Sequence, residues 1–105
     1  MDQDVLDEVV RRIVEVASPE KIILFGSRAR GAARGDSDLD LLVVKPSDEP
    51  RFRRAVPLYL ALRDIDVALD VLVYTPEEIE EWRDVRQAFV TTALREGKVL
   101  YERAA

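Results

Sequence analysis

Apolar and polar positions divide the first half of the chain into one helix and two strands. Residues 4–17 repeat apolar side chains three and four positions apart, which predicts an amphipathic helix. Two short apolar runs, at residues 21–25 and 38–44, are expected to be strands because each is bounded by turn residues. Residues 27–35 between them hold small residues and arginines, and predict a turn or a short helix.

The second half alternates helix and strand. Residues 51–63 are expected to be helical, with a kink or a late start at Pro57, and residues 67–74 form a third strand. Residues 76–96 are predicted to be helical, broken near residue 84, and residues 98–101 to form a last strand. The helical side chains expected to face the core are Phe52, Ala55, Val56, Tyr59, Leu62, Ile79, Trp82, Val85, Phe89 and Ala93, and Tyr74 is expected to join them.

This order of elements bounds the fold. Helix, strand, turn, strand, helix, strand, helix and strand follow one another with no internal repeat and no low-complexity linker. At 105 residues the chain fits one domain, spanning 1–105. We therefore predict an α/β or α+β domain, in which flanking helices pack on a small mixed sheet of about four strands.

Composition removes several kinds of chemistry. The chain has no cysteine and no histidine, which excludes disulfides, thiolate catalysis and the commonest transition-metal ligand. Its formal net charge of −5 argues against direct nucleic-acid binding. No apolar run is long enough for a membrane span and no leader pattern opens the chain, so a cytoplasmic location is expected.

Two aspartates open the second strand. Alternation along the strand places Asp38 and Asp40 on the same face, about 6.5–7 Å apart. Carboxylates this close repel one another unless a cation lies between them. Mg²⁺ suits such a pair because it binds one or two carboxylates and completes its shell with phosphate oxygens and water.

A third aspartate lies alone in the third apolar run. Asp70 shares a face with Asp66, and its burial would be costly without a partner. If the second and third strands are neighbours, Asp70 would complete a triad of acids around two metal ions, or act as the base toward an attacking hydroxyl. The alternative is a buried acid paired with an arginine.

The turn after the first strand is suited to phosphate. Gly26 lets the backbone approach an anion, and Ser27 adds a hydroxyl and an N–H. Arg28, Arg30 and Arg34 are candidate phosphate partners, among which the sequence does not choose.

The spacing of these residues carries a family resemblance. Gly26 and Ser27, followed after ten residues by Asp38-Leu39-Asp40, resemble the Gly-Ser-x10-Asp-x-Asp signature of DNA-polymerase-β-like nucleotidyltransferases. The short chain is similar to the minimal nucleotidyltransferases (MNT, MntA-type antitoxins). The resemblance implies a small mixed sheet with flanking helices, Mg²⁺ on the paired acids, and a third acid on a later strand, which here matches Asp70. We expect Gly26, Ser27 and Arg28 to be the nucleotide-binding residues.

The resemblance further implies a reaction and a partner. Such domains transfer a nucleotide, usually AMP from ATP, and minimal members are commonly paired with a HEPN-domain ribonuclease toxin that they silence by adenylylating a tyrosine. The acceptor hydroxyl would thus belong to another protein, with which an oligomeric complex is possible. The alternative is a binding module with a vestigial nucleotide site, which neutralises the HEPN partner by contact.

Overall fold

The helices and strands follow the predicted order. The structure, a computed structural model, describes residues 3–26, 39–82 and 89–104. Its elements are α1 (Gln3–Ala17), β1 (Lys21–Phe25), β2 (Leu39–Val44), α2 (Arg51–Arg54), α3 (Val56–Leu62), β3 (Leu69–Tyr74), α4 (Pro76–Trp82), α5 (Phe89–Glu96) and β4 (Lys98–Glu102). The predicted turn at residues 27–35 and the predicted helix break near residue 84 lie outside the described residues.

The four strands form one mixed sheet in the order β3-β2-β1-β4. β1 pairs antiparallel with both β2 and β4, whereas β2 and β3 run parallel. α2 and α3 lie between β2 and β3 in the chain because parallel neighbours need a crossover connection. The predicted mixed sheet with flanking helices is confirmed, and so is the neighbourhood of the second and third strands.

Strand alternation gives the sheet two different apolar faces. The larger core cluster joins one face to α1 and α3, and within it Val9, Ile13, Leu58 and Leu62 are buried. The smaller cluster lies on the other face, where Ala93 of α5 packs with Ile23, Leu42 and Tyr74. The face covered by α1 and α3 is therefore fully committed to packing, and the opposite face is the one that carries Asp40 and Asp70.

The helical segment after β2 departs from the predicted burial. Ala55 separates α2 from α3, and Pro57 lies in the first turn of α3, where a proline is tolerated. Leu58 and Leu62 face the core. The prediction that Phe52, Val56 and Tyr59 face inward is wrong, because these side chains are 79%, 49% and 40% exposed. The inward side is instead formed by the positions that keep one helical period across the break, next to the exposed side chains at 52, 56 and 59: Arg54, Ala55, Leu58 and Leu62.

The predicted start and end of the last helical region are confirmed by hydrogen bonds. Thr75 Oγ1 accepts from the backbone N–H of Glu78 at 3.1 Å, and Glu78 Oε1 accepts from the N–H of Thr75 at 2.9 Å, forming a capping box. Gly97 donates its N–H to the Ala93 carbonyl at 2.8 Å as α5 ends. Trp82, expected in the core, is instead 38% exposed at the end of α4, whereas Tyr74 is buried as predicted.

Candidate active site

Two of the predicted acids meet at one end of the sheet. β1 ends there, and the parallel strands β2 and β3 begin there. Asp40 and Asp70 are register partners on these neighbouring strands, so their Cα atoms are separated by one strand spacing of about 4.8 Å. Both alternate with residues of the larger core, Leu39 and Leu41 in β2 and Leu69 and Val71 in β3, so both project from the opposite face. The sequence prediction that Asp70 joins the strand-two acids is consistent with this register.

Gly26 lies directly against the Asp40 side chain. Phe25 is the register partner of Asp40, and Gly26 follows it with a φ of +79°. A Cβ atom built on Gly26 would collide with Asp40 Oδ2 and would lie 3.2 Å from Asp40 Cγ. A side chain at this position would therefore displace the carboxylate, and the left-handed backbone also favours glycine. Gly26, which the sequence predicts to approach a phosphate, thus packs against the Asp40 carboxylate.

Asp70 and Asp40 differ in exposure. Asp40 is half-buried, whereas Asp70 is exposed at the start of the edge strand β3. Asp70 forms no ion pair with any residue that the structure describes. The alternative interpretation of Asp70, as a buried acid paired with an arginine, is therefore wrong within the described part of the chain.

The two other acids that precede β3, Asp64 and Asp66, differ in their contacts. Asp64, beyond the end of α3, accepts from Arg12 Nη1 of α1 at 2.5 Å. This hydrogen bond lowers the pKa of Asp64 below its ordinary value. Arg12 Nη1 also donates to the Ala61 carbonyl at 3.1 Å, so the pair fastens α1 to α3. Asp66, which shares its face with Asp70, is exposed and precedes β3.

The remaining predicted site residues lie outside the described residues. These are Ser27, Arg28 and Asp38, together with the other candidate phosphate partners Arg30 and Arg34. Within residues 3–26, 39–82 and 89–104, no group of three or more acidic, cysteine or histidine side chains is placed to hold a metal ion. The two described acids nevertheless supply the right donors for Mg²⁺, since both are carboxylates and they occupy paired positions on one face.

Sequence reasoning missed the side chains that close the outer edge of β3. The Tyr59 hydroxyl accepts from the backbone N–H of Val71 at 2.7 Å. Arg54 Nη1 donates to the Val73 carbonyl at 3.2 Å. Two backbone groups of this edge strand are thereby satisfied by side chains of α2 and α3. No local pattern signals these contacts, because they depend on the strand order.

Comparison with known proteins places this arrangement in a family. The family model "Polymerase beta, Nucleotidyltransferase" matches residues 8–105. The chain belongs to the polymerase beta nucleotidyltransferase family. It is accordingly an enzyme of the nucleotidyltransferase class, in agreement with the resemblance carried by Gly26 and Asp40.

Relatives and solved structures agree with this family. A protein of Methanocaldococcus jannaschii with the name "Putative protein adenylyltransferase" is 35% identical over 83 residues, which are 78% of each chain. A crystal structure of "a putative nucleotidyltransferase from Sulfolobus solfataricus" superposes with a TM-score of 0.65 at 23% identity, covering 95% of this chain and 79% of that one. A second, "the toxin-antitoxin with AMP-PNP", gives 0.61 at 18% identity, with coverages of 98% and 75%. At these identities the two structures show a shared fold.

Proposed function

We propose that this protein transfers AMP from ATP, with Mg²⁺, to a tyrosine hydroxyl of a partner HEPN-domain toxin, with release of pyrophosphate, and so acts as the antitoxin of the pair. The observation that carries the proposal is the register pairing of Asp40 with Asp70 on adjacent parallel strands. A carboxylate pair on one face suits a reaction in which charge builds up on phosphate oxygens and a hydroxyl must lose a proton.

The comparisons support the acceptor class indirectly. The name of the Methanocaldococcus jannaschii relative refers to a protein as the acceptor of an adenylyl group. One solved structure with this fold is of a toxin–antitoxin with AMP-PNP, an ATP analogue.

Each site residue has a proposed task. Mg²⁺, when bound, would neutralise phosphate charge and lower the pKa of the attacking hydroxyl. Asp40 and Asp70 would hold it, together with Asp38. Asp70 is the alternative base because its carboxylate is exposed. Gly26 leaves room for the Asp40 carboxylate, and we assign Ser27 and Arg28 to the triphosphate.

The test is transfer of labelled AMP to the product of the adjacent gene, assayed as the candidate HEPN-domain acceptor. Asp40→Asn keeps the size of the side chain and removes its charge, so the transfer rate should fall at least about 100-fold. Asp48→Asn is the matched control, because Asp48 is an exposed acid in the loop after β2, and it should transfer at the wild-type rate.

Two results would contradict the proposal. Transfer that persists undiminished in the Asp40→Asn plus Asp70→Asn variant would remove these acids from the chemistry. Full neutralisation of the toxin by that variant, without any transfer, would instead establish the alternative of a binding antitoxin.

A further inference from the structure

An apolar surface lies exposed on α2 and α3. We call it the α2–α3 face and define it by four side chains: Phe52, Val56, Tyr59 and Leu60, which are 79%, 49%, 40% and 59% exposed. Residues three, four and eight positions apart share one side of a helical segment. Clustered large apolar side chains in water are costly, and such patches commonly mark interaction sites.

The charge of this segment is opposite to that of the chain. Residues 51–63 contain four arginines and no acidic residue, although the formal net charge of the protein is −5. Arg54 forms an ion pair with Glu78 and is only 9% exposed, so it is not available to a partner. Arg51 is also engaged, because it donates to the Tyr74 hydroxyl at 3.3 Å and forms an ion pair with Glu78. Arg53 and Arg63 are exposed and form no ion pair with any described residue. The apolar surface is thus bordered by two exposed arginines, Arg53 and Arg63.

The α2–α3 face is fixed to the strand that carries Asp70. The Tyr59 hydroxyl accepts from the N–H of Val71, the residue after Asp70, at 2.7 Å. Arg54, at the other end of the face, donates to the Val73 carbonyl at 3.2 Å. A molecule seated on the face therefore lies along the outer edge of β3, whose first residues hold one of the two candidate catalytic acids.

We propose that the α2–α3 face docks the acceptor protein, through an apolar patch on that protein bordered by carboxylates. This inference rests on the proposed function for the identity of the acceptor. Charge complementarity selects the occupant, because the bordering arginines favour an acidic rim. A membrane surface is disfavoured, since the acidic chain as a whole is repelled by anionic lipids and the two helices have only four and seven residues.

The apolar part is tested by calorimetry with the product of the adjacent gene, the candidate HEPN-domain acceptor. A triple variant that combines Phe52→Ser, Val56→Ser and Leu60→Ser should raise the dissociation constant for the acceptor at least about tenfold. Val16→Ser plus Val99→Ser is the matched control, since both side chains are 49% exposed, as Val56 is, but belong to α1 and β4. In transfer assays the triple variant should raise KM for the acceptor and leave kcat unchanged.

The basic part is tested by charge reversal. Arg53→Glu plus Arg63→Glu should weaken binding and flatten its dependence on salt, whereas Lys98→Glu on β4 should change neither. Wild-type affinity in both the triple variant and the reversal variant would overturn the proposal. Two other results would also overturn it. In the first, the triple variant loses self-association but still binds the acceptor. In the second, the wild-type protein binds phosphatidylserine–phosphatidylcholine vesicles, and the triple variant loses this binding but still binds the acceptor.

These experiments distinguish failure of the docking proposal from failure of the proposed function. Calorimetry reports binding without any transfer, so a face that binds the acceptor stands even if Asp40 and Asp70 prove inactive. Conversely, transfer that depends on these aspartates but proceeds at an unchanged KM in the triple variant would leave the proposed function standing and remove the docking face.

Discussion

The carboxylates at the two ends of the parallel pair β2–β3 differ in whether they have ion-pair partners. At the far end, Glu78 of α4 accepts from Arg54 Nη1 at 2.6 Å and Nη2 at 3.2 Å, and from the backbone N–H of Thr75 at 2.9 Å. At the near end, Asp70 forms no ion pair with any described residue, and its register partner is another aspartate.

This difference separates a structural acid from candidate catalytic ones. Glu78 is held by donors from α2 and from its own helix start, and the Arg54 hydrogen bond lowers its pKa below the ordinary value. A carboxylate so engaged stabilises the fold but has little capacity left for a ligand. Asp70 differs from Glu78 because no described residue forms an ion pair with it and its register partner is a second acid, so a bound cation would stabilise the two carboxylates together.

The largest expected effect on stability is at the far end. Arg54→Met removes a 9%-exposed guanidinium and leaves Glu78 without its main donor, so the free energy of unfolding should fall by about 2–3 kcal/mol. The measurement is urea unfolding followed by circular dichroism. Arg53→Met, at the adjacent exposed position, should lie within about 0.5 kcal/mol of wild type. Equal losses in the two variants would show that the Arg54–Glu78 pair does not hold this end together.

A smaller loss of stability is expected at the near end from Gly26→Ala. The left-handed φ of +79° should cost about 1–2 kcal/mol for a residue with a Cβ, and the new methyl group would push the Asp40 carboxylate aside. Urea unfolding measures the stability, and label transfer measures the accompanying loss of rate. In an Asp40→Ala background the collision is absent, so the same substitution should cost less. An equal cost in both backgrounds would argue against the contact between Gly26 and Asp40.

The smallest effect is a change in pH dependence. Because folding lowers the pKa of Glu78 from 4.5, its stabilising contribution is present above pH 4.5 and is lost as pH falls through the folded-state value. The stability difference between wild type and Glu78→Gln should therefore shrink on acidification from pH 7 to pH 3. Glu77→Gln, an exposed neighbour on α4, is the control. A difference that stays constant over this range would contradict the role assigned to the Arg54–Glu78 pair.

Much of the fold follows from local patterns. The apolar run at residues 21–25 coincides with β1, and the Thr75 capping box and Gly97 mark helix ends where the sequence places them. Strand alternation also gave the correct faces in β3, with Asp70 opposite Val71 and Val73. These features depend on residues close together in the chain, so short-range physical rules are sufficient for them.

Other features depend on how the elements pack. The pairing of Asp40 with Asp70 requires β2 and β3 to be parallel neighbours, which their separate patterns do not determine. Tyr59 was expected in the core, but Leu58 and Leu62 form the side that packs inward, so Tyr59 lies at the edge of β3 and is 40% exposed. The α2–α3 face is exposed for the same reason: both sides of this segment carry apolar residues, and only tertiary packing determines which side is buried.

The most direct test of the central claim, that Asp40 and Asp70 act as one unit, is a double-mutant cycle on the rate of AMP transfer. The rates of Asp40→Asn, Asp70→Asn and the combined variant would be measured on the HEPN-domain acceptor at saturating ATP and Mg²⁺. If both acids hold the same Mg²⁺ ion, the combined variant should be about as slow as the slower single variant, because removal of either ligand already disables the site. Losses that multiply would show that the two aspartates act independently and would contradict the claim.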